Sequence, residues 1–256
     1  MRLADAGGAL LVIALVLSAI ACSPREGAPV IARAERGSLR ATAKQQTAPS
    51  PAPFAPCPAQ LPDGMACIPG GSFVRGDDGD PHASPAETIT VSTFLLDTRE
   101  VTNAQWSECV SSGECRRLMP FRGYLGDEQP VVAMRWDEAQ AFCARRGARL
   151  PSEAEWERAA SGPDDTRYPW GDEPGAACEH AIVRTREGRG CGRDATWPVA
   201  SRPAFGFGLH DMAGNVWEWV ADAYAPCYRG CDRACGDACG GRDPRGPCGG
   251  AAECPE

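Results

Sequence analysis

Residues 211–220 read DMAGNVWEWV. Asp211, Gly214, Asn215, Trp217, Glu218 and Trp219 crowd into nine positions. The pattern fits neither a simple strand nor a simple helix. A Gly-Asn pair punctuates it as a turn, and two tryptophans then flank one carboxylate. The stretch sets acidic and amide oxygens beside a large aromatic surface.

The chain around it has 256 residues, 23% of them charged, and a formal net charge of -8. No basic stripe offsets that charge, which argues against a nucleic-acid partner. Gly (29) and Pro (23) make about a fifth of the sequence, a loop-rich composition rather than that of a helical bundle.

The N-terminus carries an apolar run from Ala9 to Ala21. Thirteen residues are too few for a membrane span and suit the apolar stretch of a signal peptide, residues 1–21. The run ends Ala19-Ile20-Ala21-Cys22, which resembles a bacterial lipoprotein cleavage site with Ala19 where Leu is usual. The expectation is a lipid on Cys22 and a mature chain in the cell envelope, Ser23 favouring the outer membrane. Ordinary secretion with cleavage nearby is the alternative. Residues 22–56 then read as the lipidated cysteine and a disordered tether, being rich in Ala, Pro, Ser, Thr and Gln. Outside the cytoplasm cysteines usually pair. Thirteen of the 14 remain after Cys22, so at least one lacks a partner.

From Cys57 onward the signals are those of a folded domain, residues 57–225, followed by a Cys/Gly-rich tail, 226–256. Residues 65–74 predict two short strands around a Pro-Gly-Gly turn, with Cys57 and Cys67 placed to staple them. Thr88–Leu96 alternates as one strand should. Thr102-Asn103 opens a helix carrying Trp106 and Cys109, and a local Cys109–Cys115 disulfide would close its end. A second helix is capped by Asp137, with Gln140 three residues on, and stopped by Gly147. A third starts at the capping box Ser152/Glu155, with Trp156, Ala159 and Ala160 facing inward. Its Glu153, Glu155 and Glu157 suit the helix dipole and need no catalytic role. Tyr168–Asp172 is a tight aromatic turn, and a loop with Cys178 and Cys191 follows.

Five segments occur in order: IPGGSF (68–73), EVTNAQW (100–106), RLPSEAEWERAA (149–160), YPWGDE (168–173) and FGLHDMAGNVWEWV (207–220). Together they closely resemble the formylglycine-generating enzyme family, the sulfatase-modifying factor domains, over roughly residues 60–224. The resemblance implies an α/β fold (α+β, irregular), a variant of the C-type lectin fold. It also implies a structural Ca²⁺ in the opening stretch, held by the Asp211 and Glu218 side chains and the Gly214 and Val216 carbonyls. The chemistry stands independently, since Ca²⁺ takes six to eight oxygens and a short loop can supply carboxylates and carbonyls together. Trp217 and Trp219 would pack that loop onto the core. The family's second Ca²⁺ site is not supported, because Ile182 stands where its asparagine should fall.

The family's enzymes oxidise a sulfatase cysteine to formylglycine with Cu(I) and O₂, and two cysteines near their C-terminus bind the copper, as soft thiolates should. They follow an Arg-Gly-Gly-Ser-Trp strand, and a Gly-Phe-Arg strand closes the fold; this sequence has neither. The resemblance also implies that Cys143 pairs with a cysteine of that absent section, which would make Cys143 the odd thiol. The simplest account is a truncated member of the family, for which copper is not supported. In its place, Cys227, Cys231, Cys235, Cys239, Cys248 and Cys254 suit two or three disulfides better than a metal cluster, lacking CxxC pairs.

Two functions follow as expectations. One is a non-catalytic envelope module, membrane-attached through its lipid, that binds a protein, peptide or glycan. The other is a fragment of a copper-dependent formylglycine-generating oxidase. The related iron-dependent sulfoxide synthases need a histidine cluster, and only His82, His180 and His210 are present. His210 reads as a packing histidine and Asp77, Asp78 and Asp80 as a solvated loop.

Overall fold

The computed structural model describes residues 18–19, 21–24, 54–80, 83–119, 122–223 and 240–245. Short elements separated by long irregular segments make up a mixed α/β fold. Four two-stranded ladders are formed among the described residues. Strands β1 (Ser18–Ala19) and β2 (Ser23–Pro24) lie at the N-terminus, and β3 (Met65–Ile68), β4 (Gly71–Arg75), β5 (Glu87–Val91) and β6 (Phe94–Asp97) form the centre. β3 pairs antiparallel with β6, and β4 with β5. No described helix is long and apolar enough to cross a membrane.

The two strands expected in 65–74 are present, yet they do not pair with each other. The single strand expected over 88–96 is divided between β5 and β6, one serving β4 and the other β3. The division falls at Ser92-Thr93, where Thr93 Oγ1 accepts the Gly70 N–H at 2.9 Å and the Ser92 hydroxyl donates to Asp243 Oδ2 at 2.7 Å. The buried positions step from Ile89 and Val91 to Phe94 and Leu96 across it, so the alternation slips by one residue at the break.

Three helices of two to three turns follow. Helix α1 (Asn103–Ser111) begins at the capping box of Thr102 and Gln105. The Cys109–Cys115 disulfide closes its end. Helix α2 (Trp136–Arg145) begins two residues earlier than expected: Arg135 is its N-cap and Glu138 its N3 residue. Asp137 is spent instead on Arg135, which donates to both its oxygens at 3.0 and 2.9 Å. After β7 (Ala148–Arg149), helix α3 (Glu153–Ser161) carries the expected Ser152/Glu155 box. Glu155 does more than cap: Arg149 grips both its oxygens at 2.7 Å. The short α4 (Ala177–His180) and strand β8 (Trp217–Glu218) complete the elements. The loop cysteines Cys178 and Cys191 are bonded, as are Cys57 and Cys67.

Two main apolar clusters result. One gathers Ile68, Phe73, Ile89 and Leu96 beneath α3 with Leu209 and Met212. The other gathers Val101, Trp106, Phe142 and Leu150 around α1 and α2, with Trp106 stacked on Phe142 at 5.3 Å between ring centroids. The expected tail cysteines 227, 231, 235, 239, 248 and 254 fall outside the described residues, as does His82.

Glu155 serves the cap and the ion pair at once, so its removal takes the carboxylate from a largely buried guanidinium. Glu155→Ala is expected to cost about 3 kcal/mol in urea unfolding, and the exposed Asp137→Ala to leave the transition nearly unchanged.

Candidate metal centre

The 211–218 turn is built on left-handed backbone. Asp211, Gly214 and Asn215 have φ of 57°, 101° and 53°. At Gly214 a Cβ would lie 2.4 Å from the Ile182 carbonyl oxygen, so glycine is required both for its conformation and for the approach of the neighbouring chain. Asn215 fixes the turn from three sides. Its N–H donates to Ile182 O at 2.7 Å, its Oδ1 accepts the Trp197 N–H at 3.0 Å, and its Nδ2 donates to Glu100 Oε2 at 2.8 Å.

This turn gathers uncompensated negative charge. Glu100 is 1% exposed and Asp211 8%. Asp211 Oδ2 accepts the Ala200 N–H at 2.7 Å, and Glu218 Oε2 accepts the Trp156 indole N–H at 3.2 Å. Glu100 Oε1 and Asp211 Oδ1 are buried without a hydrogen-bond partner. Burial pushes the Glu100 carboxyl well above the ordinary carboxylate range. Asp211 and Glu218 push it the same way, against the Asn215 amide and the Val216 N–H. Burial likewise raises Asp211 and lifts Glu218 to about 7, opposed by Trp156 and reinforced by Asp211 and Asp97.

The donor chemistry fits a hard cation. The oxygens are carboxylate and carbonyl, and orphaned buried oxygens are what a cation would satisfy. Among the described residues no three His, Cys, Asp or Glu side chains converge into a metal cluster by themselves. A cation here would therefore depend on backbone carbonyls as well as side chains.

The structure adds to and corrects the sequence reading at several positions. Glu100 was not singled out, although it lies within EVTNAQW. The only available signal was an acid set beside Val101 in an otherwise apolar approach to a helix cap. Trp217 does not pack onto the core; it is 69% exposed. Trp219 does pack, joining the α1/α2 cluster, its indole N–H donating to Met134 O at 3.3 Å. β8 ends at Glu218, so strand alternation does not carry Trp217 and Trp219 to the same side. Cys22 does not stand free for a lipid: its Sγ is bonded to Cys143, and one sulfur cannot hold both a disulfide and a thioether. Cys143, expected as the odd thiol, is therefore paired too. The tether assigned to begin at Cys22 also begins inside the fold, with Cys22 and Ser23 fully buried.

His210, His180, Asp77 and Asp78 are engaged in local contacts. His210 Nδ1 lies 2.9 Å from Arg202 O, and His180 stacks on Trp170. Asp77 and Asp78 accept the N–H groups of Gly79 and Ala86, each at 2.8 Å.

A lectin-like arrangement of small ladders around an acidic Gly-Asn turn defines a class, and comparison with known proteins places the chain within it. Residues 51–249 match the family described as the sulfatase-modifying factor enzyme 1-like domain. The chain belongs to that family. It is 32% identical over 268 residues to the formylglycine-generating enzyme of Streptomyces coelicolor, covering 80% of this chain and 82% of that protein. It is 38% identical over 191 residues to the serine/threonine-protein kinase Pkn1 of Chlamydia trachomatis, covering 66% of this chain but only 29% of Pkn1. The structure of PvdO from Pseudomonas aeruginosa superposes with a TM-score of 0.59 at 25% identity, covering 75% of this chain and 77% of that one. The fold is the C-type lectin-like variant expected from the five motifs.

A carboxyl whose pKa is raised on folding binds its proton more tightly folded than unfolded. Its contribution to stability is full below its ordinary 4.5 and is lost as pH rises to about 7 for Glu218. In a chelator-containing buffer, stability is expected to fall by roughly 2–3 kcal/mol over that window, and Glu218→Gln to flatten the fall in pH-dependent urea melts. Gly214→Ala is expected to cost about 2 kcal/mol or more, from left-handed strain and the clash with Ile182.

Proposed function

We propose that this chain is an exported, non-catalytic binding module of the sulfatase-modifying factor family that serves in the cell envelope. The observation that carries the reading is the state of the cysteines. All eight described cysteines are in disulfides: Cys22–Cys143, Cys57–Cys67, Cys109–Cys115 and Cys178–Cys191. Such pairing belongs to an oxidising compartment, which agrees with an export signal in the N-terminal apolar run. It also leaves no thiol pair among the described residues to hold Cu(I), so the copper chemistry of the family's enzymes does not fit them.

The module's Ca²⁺ would be held by Asp211, Glu218 and the Gly214 and Val216 carbonyls, with Glu100 alongside. It would supply the positive charge that these acids lack. The ligand would be a protein, peptide or glycan, and nucleic acid is disfavoured by the charge. An open cleft of about 610 Å³ offers room for such a ligand, lined by Leu125, Asp127, Glu128, Gln129 and Arg193. A lipid on Cys22 forms no part of this reading.

A second reading, a piece of a formylglycine-generating oxidase, draws support from the extent of similarity to the Streptomyces enzyme.

Two measurements on the exported full chain test the proposal. Ca²⁺ at a hundredfold over its Kd is expected to stabilise by about 2.7 kcal/mol, or roughly 5–10 °C in Tm, and Asp211→Ala to abolish the shift. No shift in the parent protein would remove the Ca²⁺ site. Copper-loaded chain, given a sulfatase-motif peptide and O₂, is expected to form no aldehyde. Aldehyde would establish the oxidase reading instead.

A further inference from the structure

The segment Ala21-Cys22-Ser23 is as deeply buried as any part of the fold, at 3%, 0% and 0% exposed. It follows a run that reads as an export leader, so this burial calls for explanation. The segment is gripped on every side. Cys22 N–H donates to Asp97 Oδ2 at 3.1 Å, and Asp97 N–H donates to Cys22 O at 3.1 Å. Arg146, at the end of α2, closes on the same carboxylate with bonds of 2.7 and 3.0 Å. Ser23 and Pro24 pair antiparallel with Arg149 and Ala148 of β7. Ser18 and Ala19 pair parallel with Trp217 and Glu218 of β8. Ala21 belongs to the apolar cluster beneath α3 and Cys22 to the cluster around α1 and α2, so the segment joins the two.

We propose that β6, β7, β8 and α2 form a strand-accepting slot with the Cys143 sulfur in its wall, and that its occupant is the chain's own residues 21–24, latched through Cys22. The chemistry of the slot selects this occupant. Its backbone edges bond an extended strand, the segment it encloses carries small side chains exposed by 3% or less, and its thiol requires a cysteine. Ala-Cys-Ser fits on all three counts. Cys22 is then a core residue, and its sulfur is not the place where a lipid is attached. The latch forms when the Cys22 and Cys143 thiols give up two protons and two electrons to a disulfide-bearing oxidant of the exporting compartment, which leaves as a dithiol.

This inference rests on the export reading and shares the Cys22–Cys143 bond with it, but its test involves neither Ca²⁺ nor a ligand. The full chain is exported from a bacterial host, trapped with iodoacetamide without reductant and digested with trypsin. Cys143 lies in the peptide 136–145, WDEAQAFCAR, and Cys22 in the peptide ending at Arg25. The expected product is the disulfide-linked pair, separating on reduction. Carbamidomethylated Cys143 before reduction, a diacylglyceryl group on Cys22, or Cys143 linked to any other cysteine would each overturn the proposal. A variant series provides a second reading. Cys22→Ser and Cys143→Ser are expected to lower Tm equally, and the double variant no further than either. An unchanged Tm in Cys22→Ser, or additive losses in the double variant, would sink the latch.

Discussion

One residue, Asn215, ties three separate segments of the fold together. Through its N–H, amide and carbonyl it joins Ile182, Trp197 and Glu100, the last of these 115 residues away. The position asks for several things at once. Its φ of 53° suits asparagine better than most residues, and its partners ask for a donor and an acceptor on one planar group. Aspartate would meet the backbone demand but would face Glu100 with a further negative charge. The glycine before it is fixed by the same approach of Ile182. Loop, turn and helix cap therefore meet at a junction whose geometry leaves little freedom to any of them.

The chain pairs its buried acids elsewhere. Asp97 has Arg146, and Glu155 has Arg149. Glu100 has no ion-pair partner among the described residues, and Asp211 leaves an oxygen unsatisfied. An unpaired buried carboxylate is costly, and proteins tend to keep such costs where something else resolves them. The contrast between matched and unmatched acids in one small domain is what marks the 211–218 turn as a site rather than a well-capped loop.

Much of the local structure was legible in the sequence because it is governed by short-range chemistry. The Thr102/Gln105 and Ser152/Glu155 boxes, the bonded Cys109 and Cys115, and the turn at 168–171 all depend on residues a few positions apart. The fold class was legible through five ordered motifs. What the sequence withheld depends on distant partners. The strand break at Ser92 exists because two different strands claim its two halves. Glu100 is an ordinary glutamate until Asn215 arrives beside it. Trp217 and Trp219 look equivalent until β8 stops between them. Cys22 was read by its neighbours in sequence, as a lipid attachment site, whereas its partner lies on α2.

The described disulfides differ in one further respect. Cys57–Cys67, Cys109–Cys115 and Cys178–Cys191 each join cysteines that follow one another along the chain, but Cys22–Cys143 encloses two of those pairs. On the export proposed above, a polypeptide threaded through a translocon N-terminus first would present Cys22 and Cys57 to an oxidant long before Cys143 emerges. Oxidation in order of emergence yields Cys22–Cys57 and strands Cys67. The native pattern then requires reshuffling by thiol–disulfide exchange. Recovery of this protein from a foreign host is accordingly governed by that host's capacity for disulfide isomerisation, more than by its capacity for oxidation.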